Sequence, residues 1–420
     1  MRHRLFFIFA ALIGCFFMGA GSALAQSTTI ASQSILEWFQ KPAAVRFSGL
    51  HDRDYVSWIN HDGKIQMRYY DNTSKQWSDT VTVDDLHADY GIEAIDDHNA
   101  PSVLILSNGT ILVFYAVHDL THNVFLKYSL RPEDPSAWSD RVAIASPSDN
   151  HSYNYPQPKL LPNGGIALFL RAGTWNQASE VMVVSADQGH SWSAPTTLVD
   201  FGKNIGIYAL VTSQGSRLAM VWDQRIGTDA PSNLYYATSL DGGTSWQTSS
   251  GKKLALPIMS GNAETVIRST EPLFAWDVTL DSSGRPVAVY TIGAEPNNRY
   301  AYARWNGKRW ALERITTSRL LYGGHNFYAG GIVLDPNNLN RVLLSKQHEK
   351  KELEVWSRGI LGWTRTSTVT SRSSNDNFRP QFVMNDPAKR IIWAAGIYDG
   401  LQNNNWTGFG RVNIQSATLR

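Results

Sequence analysis

Ser185-Ala186-Asp187-Gln188-Gly189-His190-Ser191-Trp192 and, fifty-four residues on, Ser239-Leu240-Asp241-Gly242-Gly243-Thr244-Ser245-Trp246 are two copies of one pattern, S-x-D-x-G-x-x-W. In a short turn the carboxylate accepts from backbone donors, the glycine permits a tight bend, and the tryptophan packs between strands. Working outward, Trp77, Trp138, Trp310 and Trp363 extend the series, with gaps of 61, 54, 54, 64 and 53 residues across all six tryptophans. Each closes a block of strand-like runs. A period a little above fifty suits a four-stranded propeller blade with its loops.

The blocks are punctuated by hairpin signals: Asp62-Gly63, Asn108-Gly109, Asn163-Gly164-Gly165, Gln214-Gly215, Ser283-Gly284, Asp335-Pro336-Asn337 and Asp386-Pro387, each between alternating apolar runs. Long helical periodicity is missing from residue 26 onward. The expectation is an all-β chain, a single seven-bladed β-propeller of four-stranded antiparallel blades over residues 26–420. The run Gly408–Ile414 is expected to pair with N-terminal strands and close the ring, removing exposed edges. The S-x-D-x-G-x-x-W segments resemble the Asp box of sialidase-like propellers. They fall in outer-strand turns, so Asp187 and Asp241 are read as structural.

Residues 1–25 read as a signal peptide: Arg2 and Arg4, an apolar run from Leu5 to Ala20, and Ala23-Leu24-Ala25 before Gln26. Leu12-Ile13-Gly14-Cys15 has the form of a lipoprotein box, but Phe16, Phe17 and Met18 continue the apolar run where a polar tether is expected. The apolar stretch is short for a membrane span, so a secreted or periplasmic protein is expected. Cys15 is the only cysteine, leaving the mature chain without disulfides or cysteine ligands. Losing Arg2 and Arg4 takes the formal charge from +2 to 0. A neutral chain without a basic tail argues against nucleic acid as partner, and an acidic substrate must be met by a few local cations. The protein is expected as a monomer.

Propeller geometry decides which distant residues meet. First and second strands form a hairpin, so residues just before the first strand and just after the second encircle one axial mouth. Before first strands lie His98, Tyr155, Tyr208, Trp276, His325 with Tyr328, and Arg379. After second strands lie His118, Arg171, Arg225 and His348. Taken singly, each has a bland reading: a packed tyrosine, an arginine paired with a carboxylate, or, in the charged run His348–Glu352, a solvated histidine. Their convergence on one rim favours a basic, aromatic pocket.

At this rim the chain resembles the BNR-4 type propellers, through Asp96-Asp97-His98-Asn99-Ala100-Pro101, Tyr115-Ala116-Val117-His118-Asp119 and Phe327-Tyr328-Ala329-Gly330-Gly331-Ile332 with Asp335-Pro336. That group includes seven-bladed polysaccharide lyases acting on rhamnose–glucuronate linkages, ulvan lyases among them. The resemblance implies β-elimination on an acidic polysaccharide or oligosaccharide. In it Arg171 would neutralise the uronate carboxylate, His98 and Tyr155 would serve as base and acid, and His118 would position the uronate. Arg225, Asn99, Tyr208, Trp276, His325, Tyr328 and Arg379 would bind substrate. A phenol beside cations can have a lowered pKa, which is the expectation for Tyr155. No cofactor is required, since a guanidinium supplies the charge a catalytic metal would bring; a calcium ion in the axial channel would be structural.

Two other readings stay open. A glycoside hydrolase of sialidase-like or rhamnosidase type needs an acidic pair, or a tyrosine nucleophile with a glutamate and an arginine cluster. Asp97, Asp119, Asp223 and Asp277 are rim carboxylates, but no Phe/Tyr-Arg-Ile-Pro segment precedes the first Asp box. A non-catalytic glycan-binding propeller would stack sugars on Trp175, Trp222 and Trp276. No H-x-x-x-H or H-E-x-x-H spacing marks a metal site, although strand ends can bring His98 and His118 together.

Overall fold

The computed structural model of the protein describes residues 26–37, 39–118, 120–144, 152–227, 230–319, 329–399 and 407–419. The proposed signal peptide, with Cys15, lies outside them. The fold is nearly all-β, with about 3% helix. Strands pair antiparallel in six hydrogen-bonded sheets among the described residues. The largest, of ten strands, divides at a single parallel pairing, Ala178 with Gly206, into two antiparallel units, Tyr153–Val199 and Gly206–Ile267.

Each unit leans on the next. Val103 N–H donates to the Pro42 carbonyl at 2.7 Å, and Arg379 N–H to the Gly330 carbonyl at 2.7 Å. Gln157 spans two units, donating to the Ala209 carbonyl (2.9 Å) and accepting from Val211 N–H (2.9 Å). The first and last units meet through Arg46 N–H to the Met384 carbonyl and Met384 N–H to the Ala44 carbonyl, at 2.8 and 3.0 Å. The result is a propeller-like ring. It closes as the sequence suggested: Thr28–Ser32 pairs antiparallel with Arg411–Thr418, Thr28 opposite Ser416, so the N terminus supplies the outermost strand of the last sheet. Pairing these two segments clasps the ring, with Thr28–Ser32 as the edge strand of that sheet.

The expected hairpins form: Asn163-Gly164-Gly165 joins Tyr153–Leu160 to Ile166–Thr174, and Ser283-Gly284 joins Leu273–Leu280 to Pro286–Ile292. Asp62-Gly63 joins the second and third strands of its sheet, Asp52–Asn60 and Lys64–Asp71; the innermost strand is Ala44–Ser48. The two S-x-D-x-G-x-x-W turns fold alike. Ser185 and Ser239 Oγ accept from Gly189 and Gly243 N–H at 2.7 and 2.8 Å, and Asp187 and Asp241 Oδ1 accept from Ser191 and Ser245 N–H at 2.8 and 2.9 Å. In both, the indole N–H returns to the glycine carbonyl at 3.1 Å. These turns precede the outer strands, away from the axial mouth.

Two interruptions of the innermost strands matter for the site. Between Asn154 and Gln157, and between Phe378 and Gln381, the ladder register shifts. Tyr155 and Arg379 sit in these bulges with φ of 57° and 50°, each followed by proline and then glutamine. Positive φ on a tyrosine or arginine costs roughly 1 kcal/mol or more and persists only where neighbours hold it. A bulge re-aims a side chain that a regular strand would send to the blade face.

Candidate active site

A short helix, Leu86–Tyr90, capped by Asp85, and two 3-10 turns carry the chain to the mouth. Asp96 caps the second turn, its Oδ1 accepting from His98 N–H at 2.8 Å. The same carboxylate holds both imidazoles: Oδ1 lies 2.7 Å from His98 Nδ1 and Oδ2 lies 2.9 Å from His118 Nδ1. The rings stack, centroids 4.3 Å apart and 12° from parallel. Asp97 adds a second carboxylate to His98 Nδ1 at 2.8 Å. A carboxylate only accepts, so Nδ1 of each ring carries hydrogen and Nε2 is the nitrogen with a lone pair in the neutral form.

These contacts set the electrostatics. Burial opposes charge on His98, but Asp96 and Asp97 outweigh it and raise its pKa well above the ordinary histidine value. Asp96 is held far below the usual carboxylate range: burial pushes it up, and the two imidazoles more than reverse that.

Tyr155 lies beside this pair, its ring 5.8 Å from His98 and 6.5 Å from His118. Phe39 stacks on it at 5.0 Å, and Tyr208 follows at 6.0 Å. Arg171 caps the row, its guanidinium carbon 4.3 Å from the Tyr208 ring centre and 6.0 Å from that of Tyr155. It donates through Nε to the Ile207 carbonyl (3.0 Å) and through Nη2 to the Thr174 carbonyl. Arg225 continues the line over Phe274 at 4.2 Å, with Asp223 3.7 Å from its Nε. His98, His118, Tyr155, Arg171, Tyr208 and Arg225 therefore form one continuous cluster.

Other expected site residues are placed differently. Arg379 is 1% exposed and tied to Asp97 (2.9 Å), Glu37 (3.2 Å) and the Leu36 carbonyl. It reaches His98 through Asp97 rather than a sugar, and the carboxylate pairing is the bland alternative. Asn99 is fully buried; its Oδ1 accepts from His118 N–H at 2.7 Å and its amide donates to the Ala94 carbonyl, so it positions His118. Trp276 is 1% exposed, its indole N–H on Thr291, and packs in the wall. Trp222 is likewise buried, whereas Trp175 is 59% exposed. His348 pairs with Glu354 at 2.8 Å. His325, Tyr328 and Asp119 lie outside the described residues.

The Tyr155 phenol is pushed well above its ordinary value, not lowered: burial dominates, Tyr208 adds to it, and Arg171 only partly offsets both. Sequence reasoning also missed several groups. Asp96 and Asp97 stand next to His98 in the chain, yet nothing local says that one carboxylate serves both imidazoles. Tyr398 joins Asp97 through its hydroxyl at 2.6 Å. Glu180, cross-strand partner of Arg171, is 1% exposed, and burial pushes it up to about 8 against the pull of Arg171. Asp223 rises to about 7 for the same reason. The tripeptides Tyr155-Pro156-Gln157 and Arg379-Pro380-Gln381 were the legible sign that two bulges share one construction.

Asp96, His98 and His118 also place one ligand atom each within 4.8 Å, a donor set that metal ions use. Their geometry suits hydrogen bonds better. Each Nδ1 faces its own oxygen at hydrogen-bond length, and near-parallel stacked rings aim their nitrogens side by side instead of at one point about 2.0–2.1 Å away. The axial carboxylate Asp277 is taken by the Lys41 ammonium (3.1 Å) and by Leu334 N–H (3.0 Å). Lys159, buried nearby, is lowered to about 7 by burial and by Lys41. That wall carries amines, which does not fit the expected calcium.

The sequence model described as "BNR repeat-containing family member" matches residues 53–318. An ulvan lyase of Alteromonas sp. (strain LOR) is 23% identical over 386 residues, covering 81% of this chain and 77% of that protein. The protein named Ulvan Lyase-PL25 of Pseudoalteromonas sp. (strain PLSV) is 22% identical over 369 residues, covering 76% and 71%. The solved polysaccharide lyase PL25-ulvan lyase bound to -[GlcA(1-4)Rha3S]- superposes with a TM-score of 0.73 at 19% identity, over 89% of this chain and 94% of that one.

Proposed function

Because the chain belongs to the BNR repeat-containing family, we propose that it is a secreted polysaccharide lyase. On this reading it is a seven-bladed propeller of four-stranded blades that cuts a glucuronate-containing glycan at rhamnosyl-glucuronate linkages by β-elimination. The observation that carries the reading is the stacked His98–His118 pair on Asp96, in line with Tyr155 and Arg171. The names of the two relatives, and the glucuronate–rhamnose ligand of the matched structure, support the substrate class.

The chemistry follows from the groups present. The hydrogen on C5 of a uronate is weakly acidic while the neighbouring carboxylate keeps its charge. The Arg171 guanidinium neutralises that carboxylate with two parallel hydrogen bonds, and Arg225 adds positive potential. His98 takes the C5 proton through Nε2. Its Nδ1–H is fixed by Asp96 and Asp97, which raise the basicity of the opposite nitrogen, as a buried aspartate does in a catalytic triad. The C5–H electron pair becomes the C4–C5 double bond, the C4–O bond breaks, and the leaving oxygen takes the phenolic proton of Tyr155. A raised phenol pKa suits this role, since Tyr155 keeps its proton until oxyanion charge develops. Exchange with solvent moves the proton from His98 and restores that of Tyr155.

Hydrolysis is the weaker reading. Among the described rim carboxylates, Asp96 and Asp97 are committed to imidazole and guanidinium partners and Asp277 to the Lys41 ammonium, which leaves buried Asp223 without a second free carboxylate for a two-carboxylate hydrolysis. The test offers glucuronate polysaccharides and follows the ultraviolet absorbance of a 4,5-unsaturated uronate. Chromophore with each new chain end supports elimination. New reducing ends without it mean hydrolysis, and no cleavage of any acidic glycan leaves a binding protein.

A further inference from the structure

We propose that Trp175 is a stacking platform for the pyranose adjoining the uronate, a subsite built into the lip beside Arg171. The inference rests on the elimination reading for the identity of the glycan and adds to it a subsite that the reaction itself does not require.

Trp175 and Asn176 form the two-residue turn between Ile166–Thr174 and Gln177–Ser185, closed by the pair Thr174 and Gln177. Turns between second and third strands lie on the rim that holds the site. Such turns favour small polar residues, yet this one carries the largest apolar side chain, left 59% exposed.

The turn is also held in place. A Cβ at Gly206 would stand 2.3 Å from the Trp175 carbonyl oxygen, so the backbones touch where only glycine fits. Ala178 N–H donates to the Ile205 carbonyl at 3.2 Å beside the parallel pairing with Gly206. Arg171 Nη2 donates to the Thr174 carbonyl, one residue before the tryptophan. The same main chain therefore holds the guanidinium and carries the indole, four residues apart on one hairpin.

A pyranose offers an apolar C–H face, and an aromatic face is its natural complement. On the next rim hairpin Arg225 is followed by Ile226, 54% exposed, so an apolar lip runs outside the cationic row. Ile360-Leu361, also strongly exposed, joins third and fourth strands and so lies on the face of the ring away from that rim.

The experiment titrates a glucuronate–rhamnose tetrasaccharide into wild type, W175F and W175A. It reads binding calorimetrically and, separately, KM and kcat on the polymer. The expected result is about ten-fold weaker binding and a rise of similar size in KM for W175A, with most of the loss restored in W175F. Equal affinity in W175A and wild type overturns the platform, as does a loss in W175F as large as that in W175A. Binding does not depend on turnover. A wild type that binds tightly without eliminating sinks the lyase reading and leaves the platform standing, whereas turnover with wild-type KM in W175A does the reverse. The melting temperature should be unchanged, because the side chain buries little.

Discussion

Asp96→Asn isolates the claim that one carboxylate prepares both imidazoles. Asn keeps the size and, through its own oxygen, the cap to His98 N–H, so the turn over Asp97–Asn99 should hold. It removes the charge that supports two bonds, at 2.7 and 2.9 Å. A hydrogen bond to a charged group contributes about 1.5–3 kcal/mol and a neutral one about 0.5–1.5. Losing about 1–1.5 kcal/mol at each imidazole lowers turnover by roughly 30- to 150-fold. The pH dependence carries the sharper signature. His98 must be neutral to accept the C5 proton, and its raised pKa means that wild-type activity climbs with pH until His98 deprotonates. Burial opposes the charged ring, so removing one of two carboxylates lowers that pKa, and the rising limb moves to lower pH. The assay is initial rate by ultraviolet absorbance across pH, with circular dichroism as a check on folding. Unchanged turnover, or a limb moved to higher pH, refutes the reasoning.

Arg171→Lys should lower kcat/KM by about 10²–10³, since an ammonium cannot make two parallel bonds to the uronate carboxylate; steady-state kinetics on the polymer measures this. Glu180→Gln should stabilise the protein at pH 8 far more than at pH 5. The buried acid binds a proton in the folded state up to about 8 and in the unfolded chain only up to about 4.5, so native stability falls as pH rises through that window. The gap corresponds to on the order of 5 kcal/mol, and thermal melts of both proteins across pH should converge near pH 4. Asp241→Ala should lower the melting temperature by a few degrees and leave turnover untouched, because its bonds to Ser239 and Ser245 stay within an outer turn.

What the sequence disclosed was mostly local. Hairpins were legible because Asn-Gly and Ser-Gly turns state their geometry within a few residues, and the S-x-D-x-G-x-x-W turns because every bond they make lies inside the motif. Tyr155-Pro156 has the local look of a strand break, yet Tyr153–Leu160 runs through it as a bulge that only the partner strand reveals. The rim rule brought His98, His118, Tyr155, Tyr208, Arg171 and Arg225 together from the strand ends of three hairpins. It could not tell which rim residues turn inward: Arg379 is buried on Asp97 and Glu37 of other units, while Asn99 and Trp276 are buried on His118 and Thr291 of their own. The Tyr155 shift was missed in sign because nearby cations are visible in a sequence, whereas burial by Phe39 and Tyr208 is not.

How the glycosidic bond breaks is read most directly by product mass after digestion of a glucuronate–rhamnose polysaccharide in heavy-oxygen water. Elimination at His98 and Tyr155 predicts an unsaturated uronate at each new non-reducing end and no solvent oxygen at the new reducing end beyond slow anomeric exchange. Saturated products carrying one heavy oxygen at every cut would contradict it.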